Sequence, residues 1–153
     1  MTGALFEITF WLAAPFWLLM IFAPTWRPTA RLAASPWTIS GVLVIYAVMA
    51  VPVFPELWTA VSSPDIDAFR ELTVRANGAG ALWAQVIAWD LLIGQWMFLE
   101  ARRLGIRPLV MGPLLALTIL LSPFALPVFL VLRAVKARAA TTATDRAVHP
   151  LSY

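Results

Sequence analysis

The sequence predicts an all-α integral membrane protein: a four-helix bundle with a short surface helix between its second and third spans. Three observations predict it. Apolar residues make up 61% of the 153 positions against 12% charged, and the mean hydropathy of +0.83 lies above that of a water-soluble domain. The 11 basic and 8 acidic side chains sit almost wholly between or at the ends of four apolar stretches, with only Glu7 and Asp90 inside one. A hydrocarbon layer about 30 Å thick needs roughly 20 apolar residues at 1.5 Å each, and residues 4–23, 37–54, 80–99 and 109–132 supply them. A soluble globular enzyme is thereby excluded.

The composition narrows the chemistry further. No cysteine is present, so there is no disulfide, no thiolate nucleophile and no Cys-ligated metal. The single histidine, His149, excludes a poly-His site, and no metal is expected. The net charge of +3 is not gathered on one face. Its arginines flank apolar segments, which membrane-surface charge explains, and nucleic acid is not an expected partner.

Taken in order, the first span opens as MTGALFEITF, with neither a basic n-region nor a small-residue cleavage site, so it reads as a retained span. The first connection, PTWRPTARLAASP, reads as a short polar loop carrying Arg27 and Arg31, with Trp26 and Trp37 at interface level. In the second, residues 55–79, Ser63 is a candidate N-cap, Pro64 the first helical position, and Asn77-Gly78 a stop signal. Ile66, Phe69 and Thr73 would line one side of this surface helix. The third connection is tight and basic (Glu100, Arg102, Arg103, Arg107). Residues 1–135 are expected to form a single four-span domain and 136–153 a disordered basic tail.

Charge does not orient four straight spans. The side of the N-terminus, second connection and tail carries six basic residues (Arg70, Arg75, Arg133, Lys136, Arg138, Arg146), and the other side five (Arg27, Arg31, Arg102, Arg103, Arg107). A fourth segment bending back at Pro123 or Pro127 would make the division nine to two, with arms each too short to cross.

Asp90, in AQVIAWDLLIGQW, stands midway along the third apolar window. An ionised Asp at the bilayer centre costs roughly 2.5–3.5 kcal/mol, so it should face the bundle interior and carry its proton, as a general acid must. Trp83, Gly94 and Met97 share its helix face, and Gly94 leaves room for a ligand or a close helix. The bland alternative is a neutral acid bonded to a neighbouring polar group. Glu7 lies one turn into the first span, where snorkelling also accounts for it, and about 10 Å from Asp90 in depth. Gln85 and Gln95 suit interhelical ties or ligand contacts. Pro15, Pro52, Pro123 and Pro127 each release a carbonyl four residues earlier. Trp58 reads as a further interface anchor; Trp11, Trp17, Trp89 and Trp96 lie within spans, where indoles pack helices or wall a flat conjugated ligand.

The stretches PFWLLMIFAPTWRPTAR (15–31), LWAQVIAWDLLIGQW (82–96) and SPFALPVFLVLR (122–133) together resemble the abscisic-acid-deficient-4-like family, whose plant members are neoxanthin synthases. Trp83, Ala88, Trp89, Asp90, Leu91, Gly94 and Trp96 match the family's third-span pattern, while Gln85 stands at its His and Gln95 at a commonly basic position. The resemblance implies isomerisation of a carotenoid or isoprenoid end group without a redox cofactor. An epoxide opens and a polyene proton is lost to leave an allene. Asp90 would supply the acid, and Glu7 or water the base. Trp83, Gln85, Trp89, Gly94, Gln95, Trp96 and Trp11 would contact the substrate.

Expected partners are therefore a hydrophobic isoprenoid or carotenoid and membrane lipid, in a multi-pass protein of the cell membrane if the source is bacterial; homo-oligomerisation is compatible with these features. Two other readings are a non-enzymatic pigment- or lipid-binding subunit and a small proton-coupled exporter acting as a homodimer. Glu7 lies too near a helix end for the exporter.

Overall fold

The computed structural model describes the backbone of residues 1–148 and the side chains of residues 1–139. Among them there is no strand, and four helical segments are long and apolar enough to cross a membrane. The first is α1 (Thr2–Phe22). The connection after it is helical rather than a loop: α2 (Arg27–Ala33) starts with Pro28 in its first turn, where the missing N–H costs nothing. Thr29 then folds this piece back by donating to the Ala23 carbonyl at 2.9 Å.

The second apolar segment, Pro36–Ser62, is longer than the expected 37–54. Pro52 sits in a single 3-10 turn (Val51–Val53) that divides it into α3 (Ser40–Ala50) and α4 (Phe54–Ser62). The surface helix is present as α5 (Ile66–Val74), but Asp65 caps it, accepting from the Asp67 and Ala68 backbone N–H groups at 3.1 and 3.3 Å. Ser63 is not the cap, because it ends α4. The buried side chain of α5 is Leu72, while Ile66 and Phe69 stay exposed.

Asn77-Gly78 does not stop a helix either. The break comes at Arg75, in extended geometry (ψ 128°), and Asn77 and Gly78 lie in the first turn of α6 (Ala76–Arg103). Both have packing roles there. A methyl group on Gly78 would run into the Leu72 carbonyl, and the Asn77 side chain accepts from Thr2 at 2.8 Å, tying the start of α6 to the start of α1.

α6 is the central helix. Without water inside a bilayer, helices associate through close packing, which small residues permit. Gly80, Ala84 and Ala88 recur every fourth position of α6, and Met49 of α3 lies where a side chain on Gly80 would be. Trp17, Leu91, Met97, Phe98, Leu115 and Phe129 form the main buried cluster.

The last segment, α7 (Pro108–Val148), is not a straight crossing. Leu121 leaves helical geometry (φ −146°, ψ 57°) just before Ser122 and Pro123. Pro123 cannot donate to Ile119 and its ring crowds that carbonyl, so the ladder opens there. Beyond the break the chain returns the way it came. Phe129 meets Trp96 edge-on at 5.4 Å, and Arg133 reaches Glu100 at 2.8 Å. The second arm thus climbs beside α6 in the same direction. The first arm, entered through the tight turn 104–107, descends it, with Thr118 Oγ1 3.8 Å from Met97 Sδ. One cleft is lined by both arms: Val110 matches Val135, Leu114 matches Val131 and Leu117 matches Val128, each pair symmetric about the Ser122–Pro123 bond. A straight helix would hold Val110 and Val135 about 37 Å apart.

The fourth apolar segment is therefore a helical hairpin whose tip reaches the middle of the bundle. The stretch expected to be a disordered tail continues as helix through Val148, and its last five positions, with His149, lie outside the described residues. The hairpin places Arg133, Lys136 and Arg138 at the same end as Arg27, Arg31, Arg102, Arg103 and Arg107. Arg70 and Arg75 stand at the other end.

Candidate functional site at the hairpin tip

Asp90 stands midway along α6 with its side chain turned inward, and the residue is 7% exposed. The third-span pattern puts Ala88, Leu91 and Gly94 on the packed side with it, all buried. Its polar neighbour is Ser122, at the tip of the hairpin, whose side chain lies within interaction range of the Asp90 carboxyl.

The tip also leaves backbone carbonyls without helical donors, because neither Pro123 nor Pro127 carries an N–H. Thr118, one turn before the break, spends its hydroxyl on the Leu114 carbonyl at 2.9 Å. The level of the tip thus combines a carboxyl, a hydroxyl and unwound backbone inside an otherwise apolar bundle. Leu120, Leu121 and Phe124 face outward around it.

The remaining candidates are distributed around this centre. Trp83, two turns before Asp90, stacks on Phe6 with ring centroids 5.1 Å apart, and its indole N–H is buried without an acceptor among the described residues. Gly94 does not leave room for a ligand: the Trp17 ring lies where its Cβ would be, so the close helix is the outcome. Gln95 donates to Thr38 at 2.5 Å, a buried tie between α6 and the start of the second segment. Gln85 is half-buried, and Trp89, Trp96 and Trp11 face outward, Trp96 packing its edge against Phe129.

Glu7 is exposed. Thr9, Ala13, Trp17 and Met20 form the buried side of α1, and Glu7, two residues before Thr9, points about 200° away from it. The structure does not bring Glu7 and Asp90 together. Ser122 is the functional candidate that sequence reasoning missed. Its signal was a Ser-Pro pair at the centre of the longest apolar run, a polar donor placed where the helix must break.

Residues 4–129 match the ABA4-like family, described as ABA DEFICIENT 4-like. The chain belongs to the ABA DEFICIENT 4-like family. The match takes in α1, the Asp90 helix, the hairpin tip with Ser122, and the return arm as far as Phe129. No curated protein and no solved structure matches the chain.

Asp90 does not line the cleft between the hairpin arms, which has a volume of about 510 Å³ and is almost wholly apolar. Its deepest lining residues, Leu117 and Val128, are five and six positions from Ser122, or about 8–9 Å along the arms. In this family member the midplane acid and an apolar cleft therefore both border the broken turn at Leu121.

Proposed function

We propose that this protein takes a long isoprenoid, of the carotenoid class its family membership suggests, into the cleft between the α7 arms and isomerises its end group with Asp90 as proton donor. The observation that carries this reading is the Asp90–Ser122 contact at the tip of the hairpin, where the apolar cleft runs out. A conjugated chain lies along the valines and leucines of the cleft, and its end group reaches the tip.

The chemistry is balanced without a redox partner. The Asp90 proton passes to an epoxide oxygen, one carbon–oxygen bond breaks and the oxygen stays as a hydroxyl. The adjacent polyene carbon loses a proton, its electrons closing the allene. Asp90, now a carboxylate, is the nearest acceptor for that proton and returns to its starting state. Ser122 holds the carboxyl in place. The free Trp83 N–H, on the same face two turns away, suits an oxygen on the guest. Gln85 and Gln95 contribute as polar neighbours, while Trp11, Trp89 and Trp96 offer indole faces to a guest arriving through lipid. Glu7 addresses only a part of the guest outside the bundle.

The test is the pigment profile of a carotenoid-making host expressing variants. Asp90→Asn should abolish the altered pigment while bound pigment is retained on purification, and Val128→Trp, which fills the cleft, should remove both. An unchanged profile with Asp90→Asn overturns the assignment of the acid.

One observation favours a second reading, binding without catalysis: the Asp90 carboxyl has Ser122 beside it and does not line the cleft between the α7 arms. On that reading the purified protein carries an unaltered pigment, visible in its absorption spectrum, and Asp90→Asn changes nothing but stability.

A further inference from the structure

A second cavity, of about 380 Å³, lies at the opposite end of the hairpin from its tip. That is the size of a small-molecule site. Its floor is apolar, made by Met20 of α1, Phe98 and Ala101 of α6, and Met111 of α7. Its rim carries Arg102 and Arg107. The fold builds this shape from the tight turn between α6 and α7, where Gly105 takes a positive φ of 64° that other residues resist.

The two arginines are in different states. Arg102 is fixed: its guanidinium donates to the Pro24 carbonyl and lies over the Phe98 ring, 5.7 Å from the centroid. Arg107 forms no ion pair among the described residues, whereas Arg103 and Arg133 both engage Glu100. An uncompensated cation thus stands at the mouth of an apolar hollow, beside the N-terminus of α7, whose dipole adds to the positive field.

The hairpin also decides which leaflet this end meets. Returning α7 to its starting end gathers eight described basic side chains there against Arg70 and Arg75 at the other, so the positive-inside rule sets this end in the cytoplasm, where the leaflet is rich in anionic lipid.

We propose that this cavity binds a phosphate-bearing lipid, with the phosphate held by Arg107 beside Arg102 and the chain laid on Met20, Phe98 and Met111. The charge and the apolar floor fit the two halves of such a molecule, and neither half alone accounts for both. The phosphate could come from an anionic phospholipid or from a phosphorylated isoprenoid. This site is independent of the assignment of Asp90.

The test is native mass spectrometry of the purified full chain, titrated in detergent with phosphatidylglycerol, an isoprenyl monophosphate and phosphatidylcholine. Retention of either anionic lipid over phosphatidylcholine is expected, and the stronger of the two identifies the source. Arg107→Gln should weaken that retention about tenfold or more, the loss of one charge-assisted hydrogen bond. Arg107→Lys should keep most of it, and Arg31→Gln, which removes a charge at the same end outside the cavity, should leave it unchanged. Equal retention of phosphatidylcholine, or equal weakening by Arg31→Gln and Arg107→Gln, overturns the proposal, the latter by showing diffuse attraction to a basic surface.

Discussion

The Ser122 side chain, at the tip of a half-length helical hairpin, lies beside the Asp90 carboxyl at the midpoint of the central helix. Ser122→Ala removes the polar neighbour of a buried carboxyl and is expected to lower the stability of the bundle by about 1–2 kcal/mol. Asp90→Asn keeps an acceptor for the Ser122 hydroxyl and should cost less. Unfolding of the two variants in the same detergent gives the order directly.

The hairpin makes a topological prediction that a straight fourth span does not. The native chain has no cysteine, so single cysteines can be placed without background. Thr25→Cys and Lys136→Cys should label from the same membrane face, and Ser63→Cys from the opposite one. Labelling of Lys136→Cys together with Ser63→Cys would mean that α7 crosses.

The return arm is held at its upper end by Arg133, which reaches Glu100 at 2.8 Å while Arg103 approaches the other carboxylate oxygen at 3.5 Å. Arg133→Glu sets two carboxylates together and should lower the melting temperature in detergent by several degrees. Combining it with Glu100→Arg should recover most of the loss, a pattern that a purely local helix effect cannot produce.

Trp17 occupies the space a side chain on Gly94 would need. Gly94→Ala is expected to destabilise by about 1–3 kcal/mol through overpacking. Placing it in a Trp17→Leu background should reduce that penalty, measured as the coupling in a double-mutant cycle of unfolding free energies.

Gln95 and Thr38 form a buried pair between helices. Thr38→Val leaves the amide unpartnered and should cost about 0.6–1.7 kcal/mol, the range for such bonds in membrane proteins. Gln95→Leu with Thr38→Val removes both polar groups and is expected to be milder than Thr38→Val alone, on the same unfolding measurement.

Segment number, the surface helix and the inward face of Asp90 could be read from the chain because each depends on local composition and periodicity. The bend in the last segment could be named at Pro123 as an alternative, but not chosen over a straight crossing. A run of 24 uncharged residues at 109–132 satisfies a straight crossing as well as two half-length arms, and Pro123 alone only frees one carbonyl. What decides is tertiary: Phe129 against Trp96 and Arg133 against Glu100, both far apart in sequence. The tie in basic residues belongs to the straight arrangement alone, since bending the segment moves the tail charges across. Asn77-Gly78 carries ordinary stop chemistry, yet Thr2 and Leu72, on other helices, claim those two positions for packing. Likewise RPTARLA looked like a polar loop until Thr29 found the Ala23 carbonyl.

A hairpin that goes only halfway down gives the molecule unequal cross-sections. In one half of the bilayer it presents five rods: α1, α3, α6 and both arms of α7. In the other only α1, α4 and α6 continue. The shape is a wedge, and lipid must fill the space beneath the tip.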